Sequence, residues 1–347
     1  MPIRLAAIAS LVLLAATAAR AGTPAGTNSR ATAVAPVTVQ APALTPSEAV
    51  KRSDAFVAAY AAPTAALDQY ARWHSPICVK VVGVLPEEAA AISSRIEQVA
   101  RALGLKVGAP GCRSNIQILF SGHPQALVDA VAKRNDALLG YHYPAETQAL
   151  KTVTRPVQAW YATASRSGGV GDVELAFMAV DNPYAVQRQD RGDHGSPKPT
   201  NMGMLSLDKA GEQTPAGCGD SRFSTCRSSL FANVMVVVDS RRLQGKTLGP
   251  LSDYVAMLAL SQPKSLDGCL DLASVIDLFA PRPCPGRPSA SGLTTADAGY
   301  LTALYGADPE ERRSEAQTDM AERMAKILVD PSPVVLTALH GASTGGH

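Results

Sequence analysis

Three kinds of residue in this chain can bind a metal or move a proton near neutral pH: six histidines, six cysteines and the carboxylates. Their spacing limits what they can do. A helix-borne metal site places two imidazoles four residues apart on one face, and His74, His123, His142, His194, His340 and His347 include no such pair. No C-x-x-C occurs, which argues against a thiolate zinc site. The stretch "DRGDHG" (190–195) gathers two aspartates and His194, but without the ligand spacing of a calcium loop. In "GCGDSR" (217–222), Ser221 lacks both a histidine-bearing partner segment and a glycine after the serine, so it does not read as an activated nucleophile. "SGGVGD" (167–172) is a turn between strands, with no following helix to cradle a phosphate. The motifs therefore predict no catalytic residue, no metal ligand and no cofactor.

One segment still has the outline of a metal site. "LSDYVAMLALSQP" (251–263) follows a buried-looking strand and a loop, as the zinc-binding helix does in zincin metallopeptidases. That helix carries His-Glu-x-x-His, whose two imidazoles share a face and whose glutamate holds a water. The segment resembles it, with Ser252 at the first histidine position, Asp253 at the glutamate position and Ala256 at the second histidine position. Downstream, "SVIDLF" (274–279) resembles the turn that follows a metzincin-like helix, and "GLTTADAGYLTALYG" (292–306) is similar to the closing helix of such domains. The likeness covers about residues 230–306, and extends to exported proteobacterial proteins of zincin-like shape. It implies a mixed sheet with flanking helices, and a cleft lined by Asp253 and Tyr254, with Trp160 and His194 as further candidates.

Alanine offers a metal no donor atom and a serine hydroxyl is a weak neutral ligand, so two of the three expected ligands are absent. Asp253 without a metal has no acidified water to activate. The chain is thus expected to be a non-catalytic relative that binds a peptide or an envelope component along an old cleft and its sheet edge. The alternatives are a hydrolase with another site, for which Asp253, His194 and the polar loop are the nearest candidates, and a structural envelope protein.

Positioning these residues falls to a predictable set of elements. "ICVKVVGVL" (77–85), "NIQILF" (115–120), "PVQAWYATA" (156–164), "DVELAFMAV" (172–180) and "LFANVMVVVD" (230–239) are rich in β-branched and aromatic residues and read as strands, with "LKV" (105–107) a shorter one. The 230–239 run is apolar almost throughout, as in a strand covered on both faces. Helices are predicted over 47–72, from Pro86 to Gly104, from Pro124, from Pro250 to Pro263, from Thr294 to Tyr305, and from Asp308 to Val329. The fold class is α+β: a mixed sheet with flanking helices and a mostly helical C-terminal part. The expected domain covers 47–306, with a polar insertion at 181–229; residues 307–347 add a helix and a tail.

Residues 1–21 combine Arg4, an apolar run from Leu5 to Ala18 and Ala19-Arg20-Ala21, and read as a cleavable secretory signal. As a helix the run would rise roughly 21 Å, short of the ~30 Å hydrocarbon core, so no anchor is expected after cleavage. Residues 22–46 are rich in Ala, Thr, Pro and Val and read as a linker. The whole chain has 32 basic and 30 acidic residues. Losing Arg4 and Arg20 leaves a neutral protein with no basic tract for nucleic acid. Six cysteines in an exported chain favour disulfides. Sequence does not select among pairings; local pairing would join Cys78 with Cys112, Cys218 with Cys226 and Cys269 with Cys284.

Overall fold

A computed structural model describes residues 44–140, 147–167, 227–287 and 289–331. Among the described residues four strands, β1 (Val79–Val82), β2 (Ile116–Ser121), β3 (Val157–Ser167) and β4 (Arg227–Asp239), form one mixed sheet in the order β1-β2-β4-β3. β1, β2 and β4 are parallel, and β3 is antiparallel to β4 at the edge of these four strands. The described residues also form seven helices: α1 (Pro46–Tyr60), α2 (Pro86–Ala102), α3 (Pro124–Asn135), the short α4 (Thr147–Leu150), α5 (Leu248–Leu260), α6 (Thr295–Gly306) and α7 (Arg313–Val329). The α+β expectation is met. "LKV" contributes only a bridge, Val107 with Ile77, and "DVELAFMAV" lies outside the described residues.

Alternation along the strands assigns the two faces. Ile116, Ile118, Val234, Val236 and Val238 point into the larger core with the buried sides of α2 and α5. Met235, Val237 and Trp160 point the other way, onto Val128 of α3 and Leu139. Covered on both faces, β4 is buried from Ser229 to Asp239, which is why its sequence carries no polar alternation. Ahead of the first residue of β2, segment 71–73 lies beside β4: Arg72 N–H donates to Ser229 C=O and Phe231 N–H to Arg72 C=O.

Neither terminal helix is peripheral. Phe56, Val57 and Tyr60 of α1 and Ala316, Met320 and Met324 of α7 enter the same core as α5 and α6. The helix expected after residue 306 thus packs on α6, with Met324 against Gly299. The rings of Tyr60 and Tyr300 meet edge to face at 4.9 Å, tying α1 to α6. α1 opens on a Thr45 cap whose hydroxyl accepts from Glu48 N–H at 3.3 Å.

After β1 the chain must turn sharply to enter α2, and Gly83 does so at φ +89°. A Cβ built there would overlap the Phe120 carbonyl oxygen in β2. Gly83→Ala therefore combines a left-handed backbone, costing about 1–3 kcal/mol, with a clash against main chain. A drop in the urea midpoint at unchanged m-value is the expected result.

Candidate functional site

The sheet delivers α5 into the centre of the molecule. Every residue from Leu251 to Ser261 is buried, so the last carbonyls of α5 lie where water cannot satisfy them. Side chains from three other elements do so. Tyr161 on β3 donates its hydroxyl to Leu258 C=O at 2.9 Å, Trp73 donates Nε1–H to Ala259 C=O at 2.8 Å, and Tyr305 on α6 donates its hydroxyl to Leu260 C=O at 2.7 Å. Ser261 adds its own N–H and Oγ–H to Met257 C=O. Burial raises the hydroxyl pKa of Tyr161 and Tyr305, so both remain protonated donors. Tyr305→Phe strands the Leu260 carbonyl and is expected to cost about 1–3 kcal/mol, read as a lowered Tm.

At the other end of the helix sit the positions that resemble zinc ligands. Ser252 is 3% exposed and donates its hydroxyl to Leu248 C=O at 2.7 Å, within its own helix; Ala256 is fully buried. Asp253 is 2% exposed, and its two oxygens are both engaged. Oδ1 accepts from Arg95 Nε on α2, and Oδ2 accepts from Leu293 N–H at 3.0 Å. A Cβ added at Gly292 would lie 2.6 Å from that Oδ2, so glycine is what lets the 292–294 turn close over the carboxylate. The geometry corrects the expectation of a groove beside Ser252, Asp253 and Ala256. Burying the whole circumference of α5 leaves these side chains in packed protein, and the carboxylate ties α5 to α2 and to the approach of α6. Asp253 is equally unavailable as the base of another hydrolytic site.

The other candidate lining residues do not join it. Tyr254 is buried in the larger core, with its ring 4.9 Å from that of Phe279. Trp160 packs on the opposite face of the sheet and donates Nε1–H to Leu150 C=O at 2.8 Å. A cleft holding Asp253, Tyr254 and Trp160 is thus ruled out by strand alternation. His194, Ser221 and the 181–226 part of the polar insertion lie outside the described residues, as do His142, His340 and His347. His74 is exposed beside Arg166, and partial burial together with that guanidinium holds its pKa below the usual histidine value. His123 stands just ahead of Pro124 at the start of α3, and the two described histidines do not converge on α5.

A second buried carboxylate joins the two downstream segments. Asp297, fully buried in the first turn of α6, accepts from Ser274 Oγ at 2.5 Å, Val275 N–H at 2.8 Å, and Thr294 N–H and Oγ1, both at 2.9 Å. "SVIDLF", a 3₁₀ turn over Val275–Phe279, is thereby fixed to the head of α6. Burial outweighs these four donors and pushes the Asp297 carboxyl up to about 6.

Sequence reading missed Arg95. Its signal was present: Ile92, Ile96 and Val99 make the buried stripe of α2, and Arg95 lies between them on that face. A charge on an apolar stripe calls for a buried partner. Two of the three local cysteine pairs are disulfides, Cys78–Cys112 and Cys269–Cys284, and the Cys218/Cys226 pair lies outside the described residues. Among the described residues no helix is long and apolar enough to cross a membrane. Comparison of the chain with protein-family models, with curated proteins and with solved structures finds no match.

Proposed function

We propose that this is an exported, non-catalytic protein with a zincin-like core, working by binding rather than by hydrolysis. One observation carries the reading: the carboxylate at the glutamate position, Asp253, is buried and committed to Arg95 and to Leu293 N–H. Three features support the zincin-like part. The parallel strand β4 leads through a loop into the central helix α5, an antiparallel strand flanks β4, and Asp297 clamps together the two downstream segments on which the resemblance rests. The two disulfides fit an oxidising compartment.

The binding element in this reading is the outer edge of β3. The bond from Asp239 N–H to Pro156 C=O sets the ladder so that residues 156, 158 and 160 bond to β4, and the backbone groups of Val157, Ala159 and Tyr161 face the opposite side. Among the described residues no strand pairs with that side. An extended peptide can add there as a further strand.

Isotope-labelled protein titrated with a pool of extended peptides should show amide shifts concentrated at Val157, Ala159 and Tyr161. Ala159→Pro, which removes one outward N–H and no ladder bond, should abolish them while leaving the fold intact. Stoichiometric zinc in the purified protein, with peptidase activity lost on chelation, would overturn the proposal.

A further inference from the structure

Asp277 stands against the Cys269–Cys284 disulfide in a way its helix-capping role does not require. A carboxylate oxygen of Asp277 and the two sulfurs all lie within 4.8 Å of one another. Asp277 is buried; Oδ1 accepts from Cys269 N–H at 2.6 Å and Oδ2 from Ser274 N–H at 3.3 Å. Each oxygen keeps a second lone pair for another partner. Arg287 reaches within 3.8 Å of Oδ2 and also donates to the carbonyls of Asp271 and Leu270, so the loop around the disulfide is held independently of the sulfur bond.

We propose that the reduced form of this disulfide is a metal site, in which the thiolates of Cys269 and Cys284 and the carboxylate of Asp277 hold one zinc-type divalent cation. A tetrahedral zinc takes thiolate ligands at about 2.3 Å and carboxylate oxygen at about 2.0–2.2 Å. With the Cα atoms of the two cysteines 5.1 Å apart, rotation of the side chains separates the sulfurs to zinc-binding distance without moving the backbone. The fourth position faces solvent on the Cys269 side and takes water. Charge favours the ion as well: two thiolates and one carboxylate carry three negative charges, against two on the cation and one on Arg287.

Thiol exchange requires a path to a sulfur, and Cys269 is exposed, as is Cys112 in the other disulfide. A dithiol reductant attacks Cys269 Sγ, breaks the S–S bond and ends as a disulfide itself. Its two electrons and two protons leave Cys269 and Cys284 as thiols, and the cation displaces both protons on binding. The 269–284 loop is then closed in either state, by a covalent bond or by the metal.

The test uses the full chain reduced with a tertiary phosphine, which becomes its oxide, followed by titration with cobalt(II) without air. One cobalt per chain is expected, with a thiolate-to-cobalt charge-transfer band that the oxidised protein does not show. The double variant C269S/C284S should lose the band, and Asp277→Asn should weaken binding by at least about tenfold, since even outer partners of metal ligands are worth that much. Should the double variant fold poorly, alkylation of the reduced wild type with and without cobalt gives the same answer, because bound cobalt must slow the modification of Cys269 and Cys284 and leave that of the other cysteines unchanged. Absence of cobalt uptake, a band that survives C269S/C284S, cobalt-dependent protection of other cysteines only, or unchanged affinity in Asp277→Asn would each overturn the proposal.

Discussion

Asp253→Ala is expected to destabilise the protein by about 3–5 kcal/mol, the usual cost of removing one partner from a buried ion pair. The size follows from what is left behind. Arg95 has only 10% of its side chain exposed, and the carboxylate facing its Nε would be gone; the Leu293 N–H would lose its acceptor too. Urea unfolding measures the loss directly. A double-mutant cycle with Arg95→Ala separates coupling from cavity formation: the double variant should lose clearly less than the sum of the single variants, because it leaves no buried charge unpaired. The same experiment bears on function. A surface general base can be replaced with little loss of stability and large loss of activity, whereas the position of Asp253 predicts the reverse.

The second large effect is a pH dependence centred on Asp297. Its folded-state pKa of about 6 stands above the ordinary value of 3.8. Between those values the folded chain keeps the proton while the unfolded chain has released it, so stability falls as pH rises from about 4 to about 6, then levels off. A rise of this size corresponds to about 3 kcal/mol for this one group, an upper figure for the change across the window. Asp297→Asn cannot titrate, so its unfolding free energy should lack that part of the slope. It should also be lower throughout, because an amide turns N–H groups toward donors. Unfolding of both proteins at several pH values between 4 and 7 is the measurement, and parallel curves would refute the assignment.

Local patterns in the chain were enough to place most elements. The β-branched runs that became β2 and β4, the prolines at the starts of α2 and α3, and the Thr294–Asp297 start of α6 are each set by interactions within a few residues, and a sequence displays those. The two described disulfides were legible for a related reason, since their partners lie 34 and 15 residues apart. Compositional reading was weaker at the ends. α1 looks only lightly amphipathic in sequence and α7 mainly charged, and it is the packing of Phe56 and Tyr60 on Tyr300, and of Met324 over Gly299, that makes them central.

What sequence alone determined was that α5 lacks the two histidines of a His-Glu-x-x-His helix: alanine at 256 has no donor in any fold. Whether Ser252, Asp253 and Ala256 meet a groove or a packed interior depended on which surfaces close over the helix. Arg95 arrives from 158 residues away and Leu293 from 40, contacts that no local pattern encodes. Trp160 and Tyr161 are adjacent in the chain, yet the pleat of β3 sends them to opposite sides of the sheet, one to α3 and the other to the end of α5. Side-chain identity fixes which chemistry is available. The sheet, by choosing the face on which each side chain emerges, decides which of those groups meet.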